Sequence, residues 1–298
     1  MADEISLKET NQRRLLAIFA HPDDESFGPG GSLALYTRRG VEVHLICATR
    51  GEAGSIPPGF QNGYPSVADL REAELRCAAS HLGLAQVHFL GYRDSGMTGS
   101  ADNHHPQALI GAPIAEVAER ITAVVRSVRP QVLITFDPIG GYRHPDHIAI
   151  HRATKQAFHA AGDPAQPPQD IAPFAPQKVY YHTFRRETLR SGLRLLRLFG
   201  RDPSRWGRNR DINLLELVEH SFPIHAEIDF RSVAKVKEEA SNCHRSQLAG
   251  GPPTDWIMRW LFRRSRTRET FTRAYPPAPD SLREKDLFEG VIIDGAHA

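Results

Sequence analysis

The sequence is poor in cysteine and has no long hydrophobic run. Its 298 residues include three cysteines, Cys47, Cys77 and Cys243. Three cysteines cannot form the disulfide framework of a small secreted domain, and no CxxC pair is present. The longest apolar run, Leu15 to Ala20, has six residues, whereas a membrane-spanning helix needs about 20. The polar start of the chain does not resemble a signal peptide, so we expect a reducing, cytoplasmic setting.

Charge is nearly balanced over the whole chain but is unevenly distributed. The 37 Lys and Arg residues against 35 Asp and Glu residues give a net charge of +2. Two segments, 185–210 and 256–275, are rich in arginine, so the rest of the chain carries an excess of acidic residues. The leucines and aromatic residues of these segments alternate with arginines at near-helical spacing, which predicts a basic cap packed on the acidic body. A contact with an anionic membrane surface or between subunits of a homo-oligomer is the alternative. The residues concerned are Leu189, Leu193, Leu196, Leu198 and Phe199 with Arg190, Arg194, Arg197 and Arg201, and Trp256, Ile257, Trp260, Leu261 and Phe262 with Arg259, Arg263 and Arg264.

Short apolar segments alternate with segments of helical periodicity along the first 184 residues. This order predicts an α/β fold, in which a mostly parallel, Rossmann-like sheet is flanked by helices. We expect a single catalytic domain over 1–298, with its core at 13–161, a proline-rich connector at 162–177 and a C-terminal extension at 178–298. Strands are predicted at 14–20, 41–48, 86–90, 131–136 and 178–184, and helices at 30–39, 69–82 (with Asp69 as the N-cap), 112–128, 145–161 and 230–246.

Two clusters of histidine and carboxylate follow the first and fourth predicted strands. Residues 21–25 read HPDDE, and residues 144–147 read HPDH. The carboxyl ends of parallel strands meet at one edge of a sheet, which is where ligands bind in such folds. Imidazole and carboxylate together suit a catalytic zinc ion with three protein ligands, for which we select His21, Asp24 and His147. Iron(II) is an alternative, because first-row metals overlap in ligand preference.

The remaining polar residues of these clusters have two interpretations each. Asp23, beside the proposed ligand Asp24, could act as the general base that activates water. An isolated HPD sequence can instead be a simple turn. Glu25 could cap the helix that follows it or act in the chemistry. Asp146 could cap the helix that starts near His147, or it could orient a histidine, as metal-binding histidines usually require.

The two clusters and their surroundings resemble a known family. The segments AHPDDES (20–26) and GGYRHPDH (140–147) are similar to those of the PIG-L/LmbE family of zinc-dependent N-acetylglucosamine deacetylases. Supporting pieces are TRGE (49–52), RxxE (71–74), RDSGM (93–97) and, more weakly, HRSQ (244–247). The resemblance is closest to the branch that deacetylates the glucosaminyl-inositol precursor of mycothiol.

This resemblance implies an activity and a set of site residues. It implies a hydrolase that removes the acetyl group from an N-acetylglucosaminyl substrate, with a small-molecule partner and no nucleic acid. An ordinary ion pair with Glu74 is the alternative interpretation of Arg71. The roles implied are His21, Asp24 and His147 as zinc ligands, Asp23 as general base, His144 as oxyanion stabiliser or acid with Asp146 behind it, Tyr142 as a carbonyl-polarising group, and Arg71 and Asp94 as contacts to sugar hydroxyls.

Other functions remain open on the sequence. A sister branch, amidases acting on mycothiol S-conjugates, carries a lysine shortly after its HPDDES, whereas residues 27–29 here read FGP. A lipid-linked N-acetyl sugar is a second alternative substrate, and Arg143 could narrow the pocket or contact an anion. A non-catalytic nucleotide binder is disfavoured because 28–31 lack the GxGxxG spacing. A serine hydrolase acting through Ser26 lacks the GxSxG elbow.

Overall fold

A seven-stranded sheet forms the centre of the protein. The computed structural model describes residues 12–61, 63–198, 200, 202–205, 213–248 and 267–293. The strand order is β3-β2-β1-β4-β5-β7-β6; the first five strands are parallel, and β7 is antiparallel to both of its neighbours, β5 and β6. The strands are β1 (Arg14–Phe19), β2 (Glu42–Thr49), β3 (Gln86–Tyr92), β4 (Val132–Phe136), β5 (Lys178–Thr183), β6 (Ala226–Asp229) and β7 (Arg268–Tyr275).

Helices cover both faces of this sheet, so the predicted α/β fold is confirmed. Along β1, Leu15 and Phe19 face one apolar cluster, while Leu16 and Ile18 face the other. This alternation places helices on both sides of a buried strand. The helices are α1 (Asp24–Phe27), α2 (Gly30–Arg38), α3 (Val67–Leu82), α4 (Ile114–Val128), α5 (Gly140–Arg143), α6 (Pro145–Ala161), α7 (Arg186–Leu198), α8 (Glu216–Glu219), α9 (Ala234–Cys243) and α10 (Arg245–Leu248).

The strand order reverses at β1, and this reversal positions the candidate site. β1 pairs with β2 on one side and with β4 on the other, with Leu15 opposite Val132. After β1 the chain continues to β2 on one side, and after β4 it continues to β5 on the other side. The connections after β1 and β4 therefore run in opposite directions and leave a crevice between them at the carboxyl edge of the sheet. The residues after β1 and those after β4 both line this edge.

Two local expectations differ from the structure. Ser66, not Asp69, is the N-cap of α3, because Ser66 has an extended backbone and its hydroxyl accepts the N–H of Asp69. Residues 268–275, the end of the second basic segment, form β7 within the sheet instead of a surface cap. Residues 256–266 lie outside the described residues.

The C-terminal part joins the core through a buried polar cluster. Glu284 accepts hydrogen bonds from Lys178 Nζ at 2.8 Å and from the Tyr180 hydroxyl at 2.7 Å. Arg273 Nη1 lies 2.7 Å from the same carboxylate. The three donors satisfy the buried charge, as burial of a carboxylate requires. These contacts tie the segment after β7 to β5.

Helix α7 confirms the helical spacing predicted for the first basic segment. Leu193 is buried, whereas Arg190, Arg194 and Arg197 are exposed. Leu198 is 81% exposed at the end of the helix. Phe199 and Arg201 of the predicted stripes, and the side chain of Leu189, lie outside the described residues. Over the described part of the chain, no helix combines the length and apolarity needed to cross a membrane.

One disulfide bond is present although the sequence predicts no disulfide framework. Cys77 on α3 is bonded to Cys243 at the end of α9, with their Cα atoms 5.9 Å apart. Cys47 is buried and unpaired. The pairing is invisible in the sequence because it depends on the packing of α9 against α3.

Candidate active site

The two histidine–carboxylate clusters meet at the carboxyl edge of the sheet, as predicted. His21 follows β1, and His147 lies in the first turn of α6 after β4. His21 Nδ1 lies 3.2 Å from His147 Nε2. The Asp24 carboxylate lies 3.4 Å from His147 Nε2 and 3.6 Å from His21 Nδ1. Asp24 Oδ1 makes the contact with His147 and Asp24 Oδ2 makes the contact with His21, so the three side chains form a small triangle of two imidazoles and one carboxylate.

This triangle has the dimensions of a zinc site. Zinc binds imidazole nitrogen and carboxylate oxygen at about 2.0–2.2 Å in tetrahedral geometry, so its ligand atoms lie about 3.3–3.6 Å apart. His21, Asp24 and His147 match this spacing, and three protein donors leave the fourth position open. His144 is a second candidate for the third donor, because its ring lies within reach of His21 and His147. Its Nδ1 already accepts the N–H of Asp146, which leaves Asp24 the better placed donor.

The two histidines of the triangle are held by contacts of their other ring nitrogens. His147 Nδ1 lies 3.2 Å from the carbonyl oxygen of Gly140. Gly140 has φ +67°, and a Cβ there would lie 2.9 Å from the Cβ of His147, so glycine is required. His21 Nε2 lies 3.1 Å from Asp146 Oδ2, which also accepts the N–H of Ser95. Such contacts fix the ring orientation of metal-binding histidines.

Asp146 is therefore not a helix cap. The cap of α6 is the His144 side chain, whose Nδ1 accepts the N–H of Asp146. The resemblance places Asp146 behind His144, whereas the structure places its carboxylate against His21. Burial and the neighbouring imidazoles of His21 and His147 hold the pKa of His144 well below its usual value. His144 is thus neutral in this structure.

Asp23 lies beside the triangle with an unusual backbone and a perturbed acidity. Its φ is 120°, a value rare for a residue other than glycine. The Asp23 N–H donates to Glu25 Oε2 at 3.0 Å, and its carboxylate lies 3.1 Å from Arg71 Nη2. Burial raises the pKa of Asp23 to about 7, with Arg71 opposing this shift and Asp24 adding to it. A carboxyl with a pKa in this range can both accept and release a proton near neutrality.

Arg71 is buried under the site and is not a surface ion pair. Its guanidinium donates to the carbonyl oxygens of Pro22, at 2.6 Å, and Gly51, at 3.0 Å. A Cβ on Gly51 would lie 2.1 Å from Arg71 Nη1, so Gly51 makes room for the guanidinium. Glu74, the partner considered from the sequence, instead accepts hydrogen bonds from Ser246. The two Nη atoms of Arg71 are thus bonded within the protein, whereas its buried Nε has no hydrogen-bond partner in the structure.

Asp94 and Tyr142 complete the described surroundings of the triangle. Asp94 Oδ1 lies 3.4 Å from His21 Nε2 and accepts the N–H of Gly96. Although burial opposes ionisation, the nearby His21 lowers the pKa of Asp94. The Tyr142 ring contacts His147 edge-on, with ring centres 5.3 Å apart, and burial raises the pKa of its hydroxyl. Tyr142 is therefore neutral and can donate a hydrogen bond.

Arg143 points away from the triangle. Its guanidinium lies 3.1 Å from His220 Nε2 and 3.6 Å from Glu219, at the end of α8. The backbone at Arg143 has φ 65°, in the left-handed region. If Arg143 narrows the pocket or contacts an anion, as the sequence analysis considered, it does so beside His220 and Glu219 and not beside the histidines of the triangle.

Sequence reasoning missed one pair of residues under the site. His244 Nε2 lies 2.8 Å from Glu25 Oε1, and both side chains are fully buried. Glu25 is therefore not a free acid: it accepts the N–H of Asp23, the N-cap residue of α1, and it contacts His244. The HRSQ segment was the available signal, since its serine also reaches α3 through Glu74.

Comparison with known sequences identifies the family. Residues 16–158 match the family described as PIG-L: GlcNAc-PI de-N-acetylase. A 1D-myo-inositol 2-acetamido-2-deoxy-alpha-D-glucopyranoside deacetylase from Streptomyces avermitilis is 38% identical over 296 residues, covering 96% of this chain and 99% of that protein. The chain therefore belongs to the PIG-L family of deacetylases, as the resemblance of its motifs indicated.

Solved structures share the fold at lower identity. N,N'-diacetylchitobiose deacetylase from Pyrococcus horikoshii has a TM-score of 0.60 at 20% identity, over 88% of this chain and 83% of its own. 4-Carboxy-2-hydroxymuconate hydratase from Pseudomonas putida KT2440 also has a TM-score of 0.60, at 19% identity, over 91% of this chain and 100% of its own. A deacetylase and a hydratase share this fold, so the reaction has to be argued from the site.

Proposed function

We propose that this protein removes the acetyl group from the 2-acetamido sugar of an N-acetylglucosaminyl-inositol, giving acetate and a free amine. The observation that carries this proposal is the triangle of His21, Asp24 and His147 with Asp23 beside it. The near full-length similarity to a deacetylase of this substrate supports it. The finer assignment, in which zinc is the ion and iron(II) an alternative, rests on the donor set.

The three ligands and Asp23 have distinct roles in the proposed reaction. An ion held by His21, Asp24 and His147 would acidify water and polarise a carbonyl group when bound. Asp23 takes the proton from the water that attacks the acetamide carbon. Its raised pKa fits this step, because a base works best when its pKa lies near the working pH.

Two neighbours act on the oxygen, and Asp23 acts on the leaving nitrogen. Tyr142 donates a hydrogen bond to the carbonyl oxygen as negative charge develops there. His144 lies beside the His21 ring, with ring centres 4.5 Å apart, and stabilises the same oxygen as a hydrogen-bond donor. The amine leaves with the proton that Asp23 took from the water, because the lowered pKa of His144 keeps it neutral, without an imidazolium proton to supply.

Arg71 and Asp94 position groups in the proposed reaction. The sequence assigns both to sugar hydroxyls, and we retain Asp94 as a sugar contact. For Arg71 we propose that its main effect is to orient Asp23, because its guanidinium also contacts Pro22 and Gly51. A carboxylate that is already oriented lies close to the attacking water and does not have to reorient before it accepts the proton.

One observation favours a second substrate, a lipid-linked N-acetyl sugar. The exposed arginines of α7 could contact an anionic membrane surface. The amidase alternative has no comparable support among the contacts of the site. We further propose that the enzyme works in the cytoplasm. Disulfides are rare in that reducing compartment, so the redox state of Cys77 and Cys243 in the protein tests this assignment.

Acetate release from a panel of substrates tests the proposal, and release of free amine is measured as well, because cleavage of a mycothiol-like amide gives an amine but no acetate. The panel contains an N-acetylglucosaminyl-inositol, N-acetylglucosamine, N,N'-diacetylchitobiose, an S-conjugate with an amide like that of mycothiol, and a lipid-linked N-acetylglucosamine. Protein stripped with a chelator is assayed before and after addition of zinc or iron(II). We expect metal-dependent acetate release that is fastest with the inositol substrate. Absence of acetate from every member with either metal would contradict the proposal.

A further inference from the structure

A second group of metal-binding residues lies between α3 and α9, outside the candidate active site. Cys77 and His81 are one helical turn apart on α3, and Glu239 and Cys243 are one turn apart on α9. Residues four apart lie on the same face of a helix, so each helix presents two donors to the other. The ligand atoms of Cys77, His81 and Cys243 all lie within 4.8 Å of one another.

The fourth member, Glu239, stands beside the imidazole of this group. Its carboxylate lies 3.8 Å from His81 Nδ1. Two sulfurs, one imidazole and one carboxylate are all zinc donors, and four such donors complete a tetrahedral site. The sulfurs set this group apart from the active site, whose donors are nitrogen and oxygen. Thiolates also favour zinc over magnesium and calcium.

The two sulfurs have alternative states. In the structure they are joined as the Cys77–Cys243 disulfide. The thiolate is the metal ligand, so this oxidised form offers no sulfur donor to a metal. The donors are accessible, because Cys77 is exposed and the side chains of His81 and Glu239 are 44% and 41% exposed. A reductant and a metal ion can therefore both reach the group from solvent.

We propose that reduction of the Cys77–Cys243 disulfide creates a second metal site, formed by Cys77, His81, Cys243 and Glu239 and suited to zinc or a similar divalent ion. With a trialkylphosphine as reductant, the S–S bond breaks to two thiols and the phosphine takes an oxygen atom from water. Metal binding then releases the two thiol protons. Hydrogen peroxide reverses the change: the two thiolates lose two electrons and reform the S–S bond, the peroxide takes up these electrons and two protons from solvent to become two water molecules, and the metal leaves.

Either state would hold the same two helices together. Cys243 directly precedes His244, which is bonded to Glu25 under the active site. Ser246, shortly after, is bonded to Glu74 on α3. The disulfide and the metal site therefore differ in their metal content and reactivity while both join α9 to α3 near these contacts.

Cobalt(II) absorption tests the proposal on the full-length protein. The protein is reduced with phosphine, freed of it without oxygen and titrated with cobalt(II), whose thiolate complexes absorb by ligand-to-metal charge transfer in the near ultraviolet. We expect this absorption to correspond to one thiolate-bound cobalt ion per reduced protein, reached by two equivalents in all because the active site binds the other ion, and to be absent from oxidised protein. Cobalt in the active site adds no such band, because its donors there carry no sulfur. Peroxide should release one equivalent of metal.

Variants assign the donors. Cys77→Ser with Cys243→Ser should abolish the band, and Cys47→Ser, the matched control, should keep it. His81→Ala should weaken cobalt binding at least about tenfold, since loss of even an indirect partner has effects of that size. No band in reduced wild-type protein, or a band that survives in the double variant, would overturn the proposal. If the double variant fails to fold, the exposed His81→Ala and Glu239→Gln variants decide, and unchanged affinity in both overturns it.

Discussion

Glu25 Oε1 lies 2.8 Å from His244 Nε2, and both side chains are completely buried although 219 residues separate them in the chain. The other carboxylate oxygen of Glu25 accepts the N–H of Asp23. One carboxylate therefore connects the C-terminal part of the chain with the backbone of the proposed base. The strained φ of Asp23 is held in part by this contact.

The first prediction concerns this pair. His244→Ala removes one partner and leaves the Glu25 charge buried, so we expect the free energy of unfolding to fall by about 3–5 kcal/mol. Urea unfolding measures the loss. We also expect kcat to fall more than KM changes, because Asp23 loses its support. Glu116→Gln, at an exposed ion pair with Arg120, is the control and should change stability by less than about 1 kcal/mol. A His244→Ala protein as stable as the control would contradict the prediction.

The second prediction is that His147 is a metal ligand. His147→Ala should lower the affinity for zinc by at least about 10–100-fold and abolish turnover, while circular dichroism still shows the folded α/β protein. Metal content after dialysis, measured by mass spectrometry, checks this result. His159→Ala, exposed on the same helix, is the matched control and should keep its metal. Full metal occupancy in His147→Ala would refute the ligand assignment.

The third prediction separates Asp23 from the ligands. Asp23→Asn removes a proton acceptor but leaves the triangle intact, so metal content should remain and kcat should fall by about 10²–10⁴-fold. Steady-state acetate release and metal analysis on the same sample provide the measurement. A variant that loses its metal but is active when zinc is resupplied would show that Asp23 binds the metal instead.

The fourth prediction concerns pH and His182. Burial lowers the pKa of His182 to about 4, below its value in the unfolded chain. The unfolded state therefore binds more protons between pH 6.5 and pH 4, so this residue makes unfolding easier as pH falls. Between pH 7 and pH 5 we expect a loss of about 2 kcal/mol from His182 in metal-free protein.

His182→Gln tests this linkage because glutamine does not titrate. Urea unfolding of wild-type and variant protein at pH 7 and pH 5, both with chelator, gives the two slopes. The variant should lose less stability on acidification than the wild type. Equal losses would mean that His182 takes up its proton as readily in the folded protein as in the unfolded chain, with Glu269 offsetting the effects of burial and of Lys237.

The fifth prediction concerns the basic segments. We expect them to act as a cap, so the protein should not co-sediment with anionic vesicles even at low salt. Binding at low salt that disappears at high salt would support the membrane alternative, because salt screens surface charge over about 10 Å at 0.1 M. Replacing Arg190, Arg194 and Arg197 by glutamine is the matched control, since all three are exposed on α7.

Local sequence signals determined most of the core and the triangle. The predicted helix at 145–161 and the observed α6 have the same bounds, because Pro145 opens the helix and Gly162 follows its end. Apolar runs located β1, β2 and β4 to within a residue at each end. The meeting of His21 with His147 was predictable because parallel strands bring their carboxyl ends to one edge.

Only the tertiary structure decided the contacts between distant segments. The bond between Cys77 and Cys243, the contact of Glu25 with His244, and the insertion of β7 beside β5 join residues far apart in sequence. Periodicity and capping report the conformation of neighbouring residues, whereas these pairings depend on how whole helices and strands pack. For the same reason the sequence could name Arg71 as a site residue, but only the packed structure showed its guanidinium against Pro22, Gly51 and Asp23.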